Sequence, residues 1–150
     1  MNTRTRPLRD VENADAGAGG HPILLATLGA PFDEEAVVFA VDSAVEASQP
    51  LIVANITTLE PLGLSVILGY DALEEFTPAV SDSVRRSVER LRVRSPRPIR
   101  ALLQLTSERR AGVLVFGSDP RELTPRNYRR AVRAVRESAG CLVWLPPHAA

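Results

Sequence analysis

The sequence predicts an α/β domain: a single open parallel sheet of about five strands with helices on both faces. Three observations carry this reading. Val113 to Pro146 forms a complete βαβ unit, with the apolar run Val113-Leu114-Val115-Phe116 closed by Gly117, an amphipathic helix, and a second apolar run from Cys141 to Leu145. A parallel strand is reached only by a crossover, so this unit implies a parallel sheet with helices packed on it. Ile23 to Leu28 is a continuous apolar run broken only by Thr27, as expected of a central parallel strand. Strand-like and helix-like patterns then alternate as far as Pro146.

Taken in order, residues 1–21 are polar, charged and then Gly/Ala-rich, the composition of a disordered N-terminal tail. The α/β domain is expected over residues 22–146, with a C-terminal tail at 147–150. After the first strand, Asp33, Glu34 and Glu35 open a helix with an apolar stripe of Val37, Ala40, Val41, Ala44 and Val45. Three acids at a helix start complement its dipole, which is the plainer alternative to a catalytic cluster. Pro50 precedes a second strand, Leu51 to Ile56.

The connection Thr57 to Tyr70 is unusually apolar, and periodicity leaves it open as a short helix, a loop or a contact surface. A helical region is expected from about Asp71 to Leu91, broken or restarted by Pro78, with Val80, Val84, Val88 and Leu91 as its stripe. Arg92 to Ser95 leaves room for a short strand. Pro98 starts a helix that runs to about Arg110, with Leu102, Leu103 and Leu105 facing inward. In the final unit, Thr124 is the N-cap, Pro125 takes the first helical position and Gly140 ends the helix. Tyr128, Ala131, Val132, Val135 and Ala139 make its stripe, and Arg126, Arg129, Arg130, Arg133 and Arg136 cover its other faces.

The formal net charge is zero, but residues 31–80 hold nine acids and no arginine, while residues 81–136 hold fifteen arginines against five acids. That asymmetry points to internal complementarity or to a basic surface for an anionic partner. All eighteen basic residues are arginine, which a GC-rich coding sequence explains without function. The single cysteine rules out an internal disulfide, and no His/Cys/Asp/Glu spacing suits a metal. Cys141 reads as a small buried residue and Ser118 as a turn cap, since neither has a base placed beside it in sequence. No apolar run reaches membrane-span length and no leader pattern is present, so a cytoplasmic protein is expected, with no membrane partner. Only Tyr128 on the arginine helix offers a stacking ring, and it lies on the apolar stripe, so nucleic acid is not an expected partner. No acid–base or nucleophile pair stands out, which argues against an enzyme.

Ligands of such sheets bind beyond the carboxyl ends of the strands, where strand order reverses. That rim is expected to comprise Leu28–Pro31, Asn55–Thr58 and Gly117–Leu123.

From Pro22 to Pro146, this element order resembles the universal stress protein family. The C-terminal unit carries the likeness, through Val113-Leu114-Val115-Phe116-Gly117-Ser118, the amphipathic helix and Cys141-Leu142-Val143-Trp144-Leu145-Pro146. The resemblance implies a five-stranded sheet, a homodimer paired through the C-terminal strand near Trp144, and either an ATP-binding or a non-ATP-binding member. The ATP-binding branch uses Gly-x2-Gly-x9-Gly-Ser/Thr, because glycines let backbone N–H groups approach phosphate. This chain keeps Gly117 and Ser118, has Pro120 at the second glycine and Arg129-Arg130 at the final Gly-Ser, and carries Leu28 where the family's first strand ends in Asp. Proline deletes a donor and fixes φ.

The expectation is therefore a regulatory or stress-response interaction protein that has lost ATP binding, holds no cofactor and meets an unknown protein partner. The alternative is an ATP-binding protein whose altered phosphate site uses Gly117, Ser118, Arg129 and Arg130. Arg129 and Arg130 as the solvated face of an arginine-rich helix are the plainer reading of that pair.

Overall fold

A computed structural model describes residues 20–58, 72–75, 84 and 88–147. The expected tail up to residue 19, most of the apolar connection, most of the helical region around Pro78 and Val80, and residues 148–150 lie outside the described residues. In chain order the described elements are β1 (Ile23–Thr27), α1 (Glu34–Ala47), β2 (Leu51–Thr58), a 3-10 turn (Ala72–Glu75), β3 (Val88–Ser95), α2 (Pro98–Glu108), β4 (Val113–Phe116), a second 3-10 turn (Pro120–Glu122), α3 (Pro125–Ser138) and β5 (Leu142–Trp144).

The five strands form one parallel sheet in the order β3-β2-β1-β4-β5. The chain steps outward from β1 to β3, returns to β4 beside β1, and steps outward again. Crossovers of one hand then put the helices of the two halves on opposite faces of the sheet. One core layer joins Leu24, Ala26, Ile52 and Leu114 to Leu102 of α2 and to Ala131 and Val135 of α3. The other joins Leu25, Val53 and Val115 to Ala36, Ala40 and Ala44 of α1, with Leu73 and Val84 beside them. β1, buried along its whole length, is the centre of both layers.

Local chemistry sets the helix ends. The Asp33 carboxylate accepts from Ala36 N at 3.0 Å and caps α1, and Thr124 Oγ1 accepts from Asn127 N at 3.1 Å and caps α3. The predicted stripe of α3 is buried as read, and Gly140 follows at φ +74°. In α1 the buried set is Ala36, Ala40 and Ala44, with Val37, Val41 and Val45 half-buried at the margin. The sheet approaches along the alanine row, where small side chains permit it. In α2 Thr106 joins Leu102 and Leu105 inside, its hydroxyl donating to Leu102 O at 2.8 Å, and Leu103 stays half-buried.

β3 departs most from expectation. It pairs with β2 over eight residues, from Leu51↔Val88 to Thr58↔Ser95, so Val88 and Leu91 belong to a strand and not to a helical stripe. His21, the last residue of the expected tail, also contacts the domain. His21 Nδ1 donates to Arg110 O at 3.0 Å, against the start of β4.

The charge asymmetry along the chain becomes an asymmetry between faces. Glu34, Glu35, Asp42 and Glu46 are exposed on α1, whereas Arg126, Arg129, Arg130, Arg133 and Arg136 are exposed on α3 across the sheet. Among the described residues, no helix is long and apolar enough to cross a membrane.

Candidate functional site

The strand order reverses between β1 and β4, and the residues leaving these two strands form the expected rim. Hydrogen bonds tie them together. Gly117 N donates to Ala26 O at 2.7 Å, Asp33 N to Gly117 O at 2.8 Å, and Asp119 N to Pro31 O at 2.9 Å. Phe32 and Ser118 thereby form an antiparallel bridge that closes the mouth of the crevice. Gly29 turns the chain away from β1 at φ +78°, and its N–H donates to Asn55 Oδ1 at 3.0 Å.

Ser118 is completely buried. The Thr27 hydroxyl donates to Ala30 O at 2.7 Å, so across the 3.0 Å between the two hydroxyls Ser118 is the donor. Ser118 Oγ in turn accepts from Leu28 N at 2.9 Å. This serine braces two loops. A Cβ on Gly117 would lie 2.7 Å from Leu25 Cδ1 and 3.0 Å from Phe32 Cδ1, so close packing alone calls for glycine there.

The loop after β4 turns its donors inward. Asp119 is buried and caps the 3-10 turn, accepting from Arg121 N at 3.0 Å, while Glu122 N donates to Asp119 O at 2.9 Å. Arg121 folds back to pair with the Asp119 carboxylate at 2.9 Å. Pro120 has no N–H to offer. Asp33 is buried as well. Tyr128, on the inner face of α3 against Phe116, has its hydroxyl pushed up to about 12, first by burial and then by the charges of Asp33 and Asp119. The hydroxyl is enclosed without a hydrogen-bond partner among the described residues.

The open concavity at this rim lies to one side, between the starts of α2 and α3. It is a cleft of about 420 Å³ lined by Leu28, Ile99, Leu123 and Asn127, the guanidinium-bearing Arg97, Arg100 and Arg130, and two prolines. No acid lines it. Of the four residues read as a phosphate site, Gly117 and Ser118 are inside the fold, Arg130 lines the cleft, and Arg129 is exposed on α3 without lining it. Arg97 and Arg100 were absent from that reading. Their signal was Pro96-Arg97-Pro98 directly after β3, at the carboxyl rim of the sheet.

Cys141 is half-buried, and burial pushes its thiol up, away from nucleophilic character. Among the described residues, no group of three or more His, Cys, Asp or Glu is placed to hold a metal ion.

No protein-family model and no curated protein matches the chain. Solved structures do match. A universal stress protein in complex with cAMP superposes with a TM-score of 0.60 at 21% identity, covering 86% of this chain and 98% of that one. The universal stress protein of Archaeoglobus fulgidus in complex with dAMP gives 0.55 at 21% identity, covering 83% and 96%. A universal stress protein family protein of Arabidopsis thaliana with AMP bound gives 0.55 at 13% identity, covering 86% and 98%. The α/β architecture with its five-stranded parallel sheet is the universal stress protein fold.

Proposed function

We propose that the chain is a universal stress protein family member that acts as a homodimeric regulatory or stress-response interaction protein and has lost ATP binding. One observation carries the reading: the loop after β4 turns most of its backbone donors into the fold. Gly117, Asp119, Arg121 and Glu122 each donate to a partner inside the fold, and Pro120 has no N–H. A phosphate cradle needs several such N–H groups free and converging. Relatives in fold hold cAMP, dAMP and AMP, so the loss is a property proposed of this chain's own loop.

Titration calorimetry with Mg-ATP tests it. The expected result is no binding tighter than about 1 mM, an interaction of about 4 kcal/mol or less. A micromolar dissociation constant abolished in Arg129→Ala/Arg130→Ala would overturn the reading and establish the arginine-based nucleotide site.

A further inference from the structure

We propose that the cleft between the starts of α2 and α3 binds a phosphomonoester with a compact apolar body, its phosphate held by Arg97, Arg100 and Arg130. The inference goes beyond the loss of ATP binding: the cleft shares Leu28 and Leu123 with the rim and Arg130 with the arginine-based nucleotide site, but its cations are side chains of α2 and α3 and not backbone donors of the loop after β4.

Three arginines from two helices line one concavity: Arg97 is the N-cap residue of α2, Arg100 lies in its first turn, and Arg130 is in the second turn of α3. Among the described residues none of the three guanidinium groups pairs with a carboxylate, and apart from Asn127 the rest of the lining is apolar. Like charges gathered on an apolar floor repel one another, and an anion between them relieves that repulsion. A phosphomonoester matches the number of cations. It carries about −1.5 to −2 charges near neutrality and three terminal oxygens, each able to accept from a guanidinium fork.

Leu28, Ile99 and Leu123 provide a dry surface for the rest of the ligand. The volume of about 420 Å³ lies within the range of small-molecule sites. Leu28 brings no polar atom to this floor, so the floor favours a body without hydroxyls to satisfy. The opposite face gives the contrast: its concavity, lined by Glu34, Glu35, Asp42 and Glu46 beside Phe39 and Trp144, repels anions.

Calorimetry with phenyl phosphate, inorganic phosphate, benzyl alcohol and Mg-ATP on the full chain at low ionic strength tests the site. Phenyl phosphate is expected to bind below about 1 mM, with inorganic phosphate at least about tenfold weaker and benzyl alcohol silent. Arg97→Ala/Arg100→Ala, both on exposed side chains, should weaken phenyl phosphate by about tenfold or more with an unchanged melting temperature. Leu28→Asp should do the same through charge. No phenyl phosphate binding at concentrations on the order of 10 mM overturns the inference. So does binding untouched by the double variant, or equal affinity for inorganic phosphate. If phenyl phosphate and Mg-ATP both fail, this inference falls and the loss of ATP binding stands. Micromolar Mg-ATP beside arginine-dependent phenyl phosphate binding overturns only the proposed loss of ATP binding.

Discussion

The hydroxyls of Thr27 and Ser118 lie 3.0 Å apart where β1 and β4 leave the sheet, and both residues are completely buried. Each hydroxyl has a backbone partner as well, Ala30 O for Thr27 and Leu28 N for Ser118. The crevice that a doubly wound sheet opens at its switch point is thus laced shut by side chains and backbone from both exits. Ser118→Ala removes the acceptor of Leu28 N and the donor to Thr27 and leaves buried polar groups unmatched. Urea unfolding should show a loss of about 1–3 kcal/mol. An unchanged midpoint would show that Ser118 is not the brace described.

Gly117→Ala separates a packing glycine from a phosphate-cradling one. The added methyl meets Leu25 Cδ1 at 2.7 Å and Phe32 Cδ1 at 3.0 Å, inside a filled core. Overpacking of this kind costs about 1–3 kcal/mol, which thermal melting will register. A glycine required only by an absent ligand would accept alanine with little change.

Much of this fold was legible because pattern and capping agreed. In α3, Thr124, Pro125, the stripe Tyr128–Ala131–Val132–Val135 and Gly140 all pointed to the same boundaries, and the structure has them. β3 was obscured by two periods that fit one stretch. Val84, Val88 and Leu91 recur at helical spacing, while Arg90-Leu91-Arg92-Val93-Arg94 alternates as a strand. Pairing with β2 along eight residues decides for the strand, and that contact is long-range. The rim residues were readable from strand ends, and Gly117 and Ser118 were found. Their inward orientation was not, because it depends on Phe32 and Pro31 crossing from the other exit. Arg97 and Arg100 lie about thirty residues from α3, and only the sheet order brings them beside Arg130.

Tyr128 gives the protein an alkaline sensitivity. Its hydroxyl titrates near 12 in the fold and at the ordinary value of 10 in the unfolded chain. Between those values the unfolded chain gives up a proton that the folded one keeps, so stability is retained below about pH 10 and falls as pH rises toward 12. Tyr128→Phe removes both that ionisation and the unpartnered buried hydroxyl. Melting curves should show the variant at least as stable as the parent at neutral pH, with a shallower decline between pH 10 and 12. A decline as steep as the parent's would place the alkaline transition elsewhere.

A homodimer is the state expected from the edge of the sheet. β5 is three residues long, pairs with β4 on one side, and among the described residues is the last strand on that side. A parallel edge left open is a template for another strand. Leu142 on β5 is 64% exposed, and Val38 on α1 is 58% exposed beside Trp144 in the same concavity. Trp144 itself stacks on Phe39, with ring centroids 5.0 Å apart. Two copies joined antiparallel through β5 about a two-fold axis would cover both strands' open sides in one continuous sheet. Light scattering at micromolar concentration should therefore give a dimer mass. Val143→Arg should give monomer, and so should Leu142→Arg, whose exposed position spares the core and keeps the test clear of misfolding. A parent protein that scatters as a monomer sinks the dimer. A dimer that survives Leu142→Arg and Val143→Arg moves the interface away from β5.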